Sequence, residues 1–143
     1  MPHIARTSLV MYSAKQMYDL VSDVESYPEF LPGCVDCTIL RQNTEWVEAK
    51  LVLAKGGLRH SFATRNQMTE GQSIEMNLLE GSFKHLKGVW QFHPLGNNGC
   101  KVSLNLDFEM KNKIAQMTLG AVFGQLVDKM VEAFAQRAKQ VYG

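Results

Sequence analysis

Residues 112–142 read NKIAQMTLGAVFGQLVDKMVEAFAQRAKQVY, and this stretch decides the fold. Ile114, Met117, Val122, Phe123, Leu126, Val127, Met130, Val131, Phe134, Ala138 and Val141 recur largely at spacings of three and four. That period predicts one long amphipathic helix from about Asn112 to Tyr142. A helix with one apolar face needs a surface to cover, and the residues before it alternate with the period of two that belongs to strands.

The clearest alternation lies just upstream. Val102, Leu104, Leu106, Phe108 and Met110 oppose Lys101, Ser103, Asn105, Asp107 and Glu109; further back, Val47, Ala49, Leu51 and Leu53 oppose Trp46, Glu48 and Lys50. Strands are expected at about 35–42, 45–54, 58–69, 73–80, 84–94 and 100–110. Turn signals separate them at Asn43, Gly56-Gly57, Gly71, Gly81 and Pro94-Leu95-Gly96-Asn97-Asn98-Gly99. A first strand is expected from Ile4 to Tyr12. Ser13-Ala14-Lys15-Gln16 then has the form of a capping box, opening a short helix with Met17, Leu20 and Val21 on one face. A second helical turn begins near Val24, and Pro28 and Pro32-Gly33 end it.

One-sided alternation means an antiparallel sheet whose buried face has only helices to cover it. The order β-αα-ββββββ-α therefore predicts one α+β domain over residues 1–143, a strongly bent sheet of about seven strands gripping a C-terminal helix.

Composition narrows the function. The chain of 143 residues is 45% apolar and 20% charged, ordinary for a globular protein, with 15 basic against 14 acidic residues. A net charge of +1 argues against a general nucleic-acid binder and against DNA as a partner. The N-terminus lacks the pattern of a secretory signal, and no run approaches the roughly 18 apolar residues of a spanning helix. The expected location is the cytoplasm.

Three cysteines, Cys34, Cys37 and Cys100, cannot all pair in disulfides. Cys34-Val-Asp-Cys37 has CxxC spacing, but Pro32-Gly33 precedes it and Thr38-Ile39-Leu40 follows, so it lies at the start of a strand rather than a helix. Further zinc ligands would have to come from scattered residues: Cys100, His3, His60, His85 or His93. Ordinary reduced thiols, and no metal or resident cofactor, are the expectation.

On the strand 58–69, the face carrying Phe62 and Met68 also carries His60, Thr64 and Asn66. Buried polar groups need partners, so these residues are either satisfied by neighbours or orient a ligand in an apolar pocket. Gly120 and Gly124, each costing roughly 1 kcal/mol in a helix, mark either close approach to the sheet or room for a ligand.

Tyr27-Pro28-Glu29-Phe30-Leu31-Pro32-Gly33-Cys34 and Gly81-Ser82-Phe83-Lys84-His85-Leu86-Lys87-Gly88-Val89-Trp90-Gln91-Phe92 carry a resemblance. The second block is similar to the pattern G-P-F-K/R-x-L-x-G-x-W-x-F, with Ser82 in place of proline. The chain resembles the coenzyme Q-binding START-domain (polyketide cyclase/START-like) family, which includes the RatA-type ribosome association toxins. The resemblance implies the helix-grip fold, a deep apolar cavity between sheet and C-terminal helix, and a ubiquinone-type quinone serving respiration. For the RatA-type members it implies binding to the large (50S) ribosomal subunit and interference with 70S formation.

Taken toward a ligand carrier, the resemblance makes Phe62, Thr64, Asn66, Met76, Leu78, Trp90, Phe92, Leu106, Phe123, Val127 and Met130 the expected ligand-binding residues, Thr64 and Asn66 orienting the head group. Leu86, Leu104, Leu126, Phe108 and Val122 belong to the same inner face. Phe30 and Leu31 are expected at the mouth, where an exposed pair would touch a membrane or a lipid tail and place the protein peripherally at the inner membrane; tucked under the sheet edge, they would not. A ribosomal surface would draw on Lys55, Arg59 and Arg65, on Lys84 and Lys87, or on Lys111 and Lys113, diluted by Glu70, Glu75 and Glu80. Catalysis is not expected: His60, His85 and Asp107 form no triad or metal set by spacing, and Gly56-Gly57 lacks the lysine and hydroxyl residue of a phosphate loop. The expected function is a non-enzymatic carrier of a hydrophobic ligand, with ribosome-associated inhibition of translation as the alternative.

Overall fold

The predicted alternation becomes strand β7 (Gly99–Met110), with Val102, Leu104, Leu106, Phe108 and Met110 buried on one face. The computed structural model describes residues 3–143. Before β7 come β1 (His3–Val10), α1 (Ala14–Ser22), a 3₁₀ turn (Val24–Glu29), β2 (Cys34–Gln42), β3 (Trp46–Lys55), β4 (Leu58–Thr69), β5 (Ser73–Glu80) and β6 (Phe83–Leu95). After it come α2 (Lys113–Met117) and α3 (Leu119–Tyr142).

The seven strands form one antiparallel sheet in the order β1-β7-β6-β5-β4-β3-β2. Strands β2 to β7 are a meander, and β1 pairs outside β7 with Ile4 opposite Leu106. Register shifts at Cys34/Asp36, Ile39/Arg41, Ala63/Thr64 and Phe83/His85 bend the sheet. The bend brings α3 against β1, β3 and β7 at once, so the sheet wraps the helix. At the β5–β6 turn Gly81 has φ +138°, and a Cβ there would stand 2.7 Å from Phe62 Cβ, so only glycine fits.

The capping box forms as expected: Gln16 N–H donates to Ser13 Oγ at 3.1 Å, and Ser13 N–H donates to Gln16 Oε1 at 2.9 Å. The C-terminal helix differs from expectation. It breaks at Thr118, whose N–H and Oγ1 both donate back to the Ile114 carbonyl, at 3.1 and 2.9 Å. The break leaves Ile114 and Met117 75% and 78% exposed, while Ala115, Leu119, Val122 and Phe123 turn inward. The spacing held the signal: Met117 to Val122 is a step of five, roughly 140° out of phase on a continuous helix. Val141, also expected on the stripe, lies in the exposed last turn.

Candidate functional site

The inner face of the sheet and the buried face of α3 enclose a cavity of about 50 Å³. Alternation on β4 turns Phe62, Thr64 and Asn66 inward opposite Leu51, Ala49 and Val47 of β3. Met76 comes from β5, Leu86 and Trp90 from β6, and Leu104 and Leu106 from β7. Helical spacing on α3 adds Phe123, Leu126, Val127 and Met130. Of the predicted ligand residues, Phe62, Thr64, Asn66, Met76, Trp90, Leu106, Phe123, Val127 and Met130 converge on this one space.

Four others do not reach it. Phe92 sits under α1, edge-on to Tyr18 at 5.8 Å and stacked beside Trp90 at 6.3 Å. Leu78 is partly buried near the β4 bulge. Leu31 is buried, and Phe30 packs on Tyr27 and Phe134 under the Arg137 guanidinium, 5.0 Å from its ring centre. Of the two placements open to Phe30-Leu31, the structure takes the tucked one, away from the mouth. The 3₁₀ turn carries Tyr27 inward, where its hydroxyl donates to the Val21 carbonyl, and the aromatic cluster holds the following loop down.

Val24, Tyr27 and Leu51 also line the cavity. Leu51 was readable from the β3 alternation; Val24 and Tyr27 enter through a 3₁₀ turn, which has no helical or strand period to betray its inner side.

Apart from the Tyr27 hydroxyl, which is taken up by the Val21 carbonyl, the lining is apolar except for one pair. Thr64 Oγ1 donates to Asn66 Oδ1 at 2.8 Å, and both residues are buried. A second space of about 10 Å³ lies beside Asn66, Tyr27 and Trp90. Burial pushes the Tyr27 phenol well above its ordinary range, so it is neutral at physiological pH. His60, on the same face of β4, keeps a buried Nε2 without a hydrogen-bond partner among the described residues.

A water needs roughly 10–15 Å³, whereas drug-sized ligand sites run to roughly 300–1,000 Å³. The cavity in this conformation therefore holds a few waters' worth of space, and the inner face is largely a filled core. Four phenylalanines close its α2 end: Phe123 meets Phe62, Phe83 and Phe108 at 5.6, 5.0 and 4.9 Å between ring centres. The glycines on α3 do not act as spacers against the sheet. A Cβ on Gly124 would meet nothing within 4 Å, and one on Gly120 would meet only the Gln116 side chain.

Cys34, Cys37 and Cys100 are free and buried. The register shift after Cys34 inserts one residue, so Cys34 and Cys37 both turn inward despite their odd spacing. Burial pushes their thiols up to about 11 and about 12, the reverse of a reactive CxxC. Among the described residues no cluster of three or more His, Cys, Asp or Glu side chains could hold a metal ion. No helix among them is long and apolar enough to cross a membrane.

On the convex face, Arg65 leaves the basic hairpin cluster expected for it. Its Nε donates to Glu48 Oε2 at 3.1 Å while Arg41 Nε donates to Oε1 at 2.8 Å, and Arg65 stacks 4.1 Å from the Trp46 ring centre.

Residues 10–135 match the family model described as polyketide cyclase / dehydrase and lipid transport. The chain is 50% identical over 142 residues to the ribosome association toxin RatA of Escherichia coli K12, covering 99% of this chain and 90% of that one. It is 26% identical to the mitochondrial coenzyme Q-binding protein COQ10 homolog B of Xenopus laevis, covering 97% of this chain and 59% of that one. In fold it superposes on the Zhui aromatase/cyclase of Streptomyces sp. R1128 with a TM-score of 0.87 at 18% identity, over 99% of this chain and 96% of that one. The chain belongs to the polyketide cyclase / dehydrase and lipid transport family and, within it, groups with the RatA ribosome association toxins.

Proposed function

We propose that this protein is a ribosome-associated inhibitor of translation that binds the large subunit and opposes its joining to the small one. The observation that carries this reading over a ligand carrier is the cavity of about 50 Å³. A quinone with a prenyl tail needs several times that space, so in this conformation recognition falls to the outer surface. Full-length similarity to a ribosome association toxin supports the same choice. The reading places the protein in the cytoplasm. It also makes the protein a binder rather than a catalyst: the cavity lining offers one ionisable group, the Tyr27 phenol, which burial keeps neutral. The test is sedimentation of lysate after overexpression in the native host. Co-migration with free 50S particles and depletion of 70S ribosomes are expected; unchanged 70S levels with the protein left at the top of the gradient would overturn the reading.

One observation favours a second reading, binding of a hydrophobic ligand. The Thr64–Asn66 pair sits alone in an apolar lining, beside the flexible Met76 and Met130, as an orienting group in a pocket would. It would require the Phe123 cluster to part. Organic extraction of protein purified from its own host, followed by mass spectrometry, tests it: a stoichiometric quinone or lipid supports the reading and a clean extract removes it.

A further inference from the structure

We propose that the end of the molecule carrying α2 is an RNA-binding face, an inference that rests on the ribosome reading and names RNA as the partner surface. The antiparallel meander gathers the β3–β4 turn, the β5–β6 turn and the end of β7 at one end of the sheet. The packing ties them together: Lys111 N–H donates to the Ser82 carbonyl at 3.0 Å, a Cβ on Gly81 would touch Phe62, and Lys55 Nζ donates to Gln125 Oε1 at 2.8 Å.

Five exposed cations lie on these turns: Lys55, Arg59, Lys84, Lys111 and Lys113. Among the described residues none of the five takes part in an ion pair; Arg6, Lys15, Arg41, Arg65 and Arg137 do, while Lys50, Lys87, Lys101, Lys129 and Lys139 are unpaired elsewhere on the molecule. The carboxylates toward this end are Glu80, Glu109, Asp36 near the start of β2, and Asp107, which pairs with His3. The opposite end carries Glu45, Glu70 and the neutral Gly96-Asn97-Asn98, together with Lys101, Arg41 paired with Glu48, and Lys15 paired with Asp19 and Glu70. A net charge of +1 therefore conceals a local excess of cations at the α2 end.

Amid these cations stand three exposed apolar side chains, Ile114, Met117 and, 55% exposed, Leu58. The break at Thr118 is what turns the first two outward. A groove of about 240 Å³ continues the face along α3, walled by Gly33, Lys55, Gln125 and Lys129.

Unpaired cations on protruding turns suit phosphates, whose counterions they displace. Isolated Ile and Met side chains among them suit bases splayed from a loop or bulge, where apolar wedges insert. Five cations to three apolar side chains is too little hydrophobic area for a lipid surface, which needs a broad apolar face. RNA is the occupant that both halves of the patch fit.

The experiment compares the full chain, the charge-reversed variant Lys55→Glu/Arg59→Glu/Lys113→Glu, the milder variant Lys55→Gln/Lys113→Gln, and the control Lys101→Glu at the opposite end. Far-UV circular dichroism and melting confirm that each is folded. Binding is read against deproteinised large-subunit rRNA, intact 50S particles and phosphatidylglycerol vesicles, each across a salt series. The expected result is rRNA binding by the wild type and the control. Charge reversal should weaken it about tenfold or more at physiological salt, and each lost phosphate contact should make the slope of log affinity on log salt shallower by about 0.7. The milder variant should fall between. Equal binding of all four proteins to rRNA, or binding of the wild type to vesicles but not to rRNA, overturns the proposal. Undiminished 50S binding by the reversed variant overturns it while leaving the ribosome reading intact. A wild type that fails to bind 50S particles removes both.

Discussion

Glycine at two positions shows how little sequence alone says about a single residue. Gly81 is held at φ +138° against Phe62, whereas Gly124 sits in α3 with open space where a Cβ would be. Gly81→Ala should therefore destabilise the fold by roughly 1–3 kcal/mol through strain. Gly124→Ala should stabilise it by about 0.5–1 kcal/mol through helix propensity and chain entropy. Urea unfolding at unchanged m-value measures both, and a destabilising Gly124→Ala would show that something packs there. The cysteines make a second residue-scale case. With Cys34 and Cys37 pushed up to about 11 and about 12, both stay protonated at neutral pH, and the native protein should resist alkylation at pH 8 until it is unfolded. Because the folded state holds these protons more tightly, their contribution to stability is complete below the ordinary thiol range. It is lost as pH rises from there through 11 and 12. Unfolding midpoints that stay flat across that alkaline window would contradict the burial argument.

At the scale of elements, the convex face is stitched by one cross-strand row: Arg41, Glu48, Arg65, Asn77, Lys87, Asp107 and His3 oppose one another in turn across all seven strands. Its tightest part is Glu48 beneath two arginines. The hydrogen bond from Arg41, with both guanidinium charges, holds the Glu48 carboxyl below its usual range. A depressed carboxyl contributes stability above its unfolded pKa and loses it as pH falls through the folded value. Glu48→Gln should thus be less stable than wild type at neutral pH, and the difference should shrink in acid. A gap that is constant with pH would place the effect in packing. Periods of two and of 3.6 made the strands, the capped α1 and most of α3 legible in the sequence, because each buries one continuous face. The 3₁₀ turn that carries Val24 and Tyr27 inward has no such period. The break at Thr118 was visible only as the five-residue step from Met117 to Val122, and the pairing of Arg65 with Glu48 depends on register across two strands. Nine of the predicted ligand residues do meet, since alternation and helical spacing settle which side chains face inward. How much space is left between them depends on side-chain fit, which periodicity does not report.

For the whole molecule, the fold and the family leave two jobs open, and the small interior volume supports the one proposed above. A sheet wrapped around α3 encloses ligands only if the side chains between them leave room, and here Trp90, Phe134, Leu104 and Leu126 fill it. What the interior gives up, the surface supplies: Lys55, Arg59, Lys84, Lys111 and Lys113 gather exposed at the α2 end. On the function proposed above, such a protein works by docking on the large ribosomal subunit. The most direct test mixes purified full-length protein with purified 50S and 30S subunits under associating conditions and resolves the particles on a sucrose gradient. The account predicts that the protein sediments with 50S and that the 70S peak falls as protein is added; an undiminished 70S peak, with the protein remaining unbound, would contradict it.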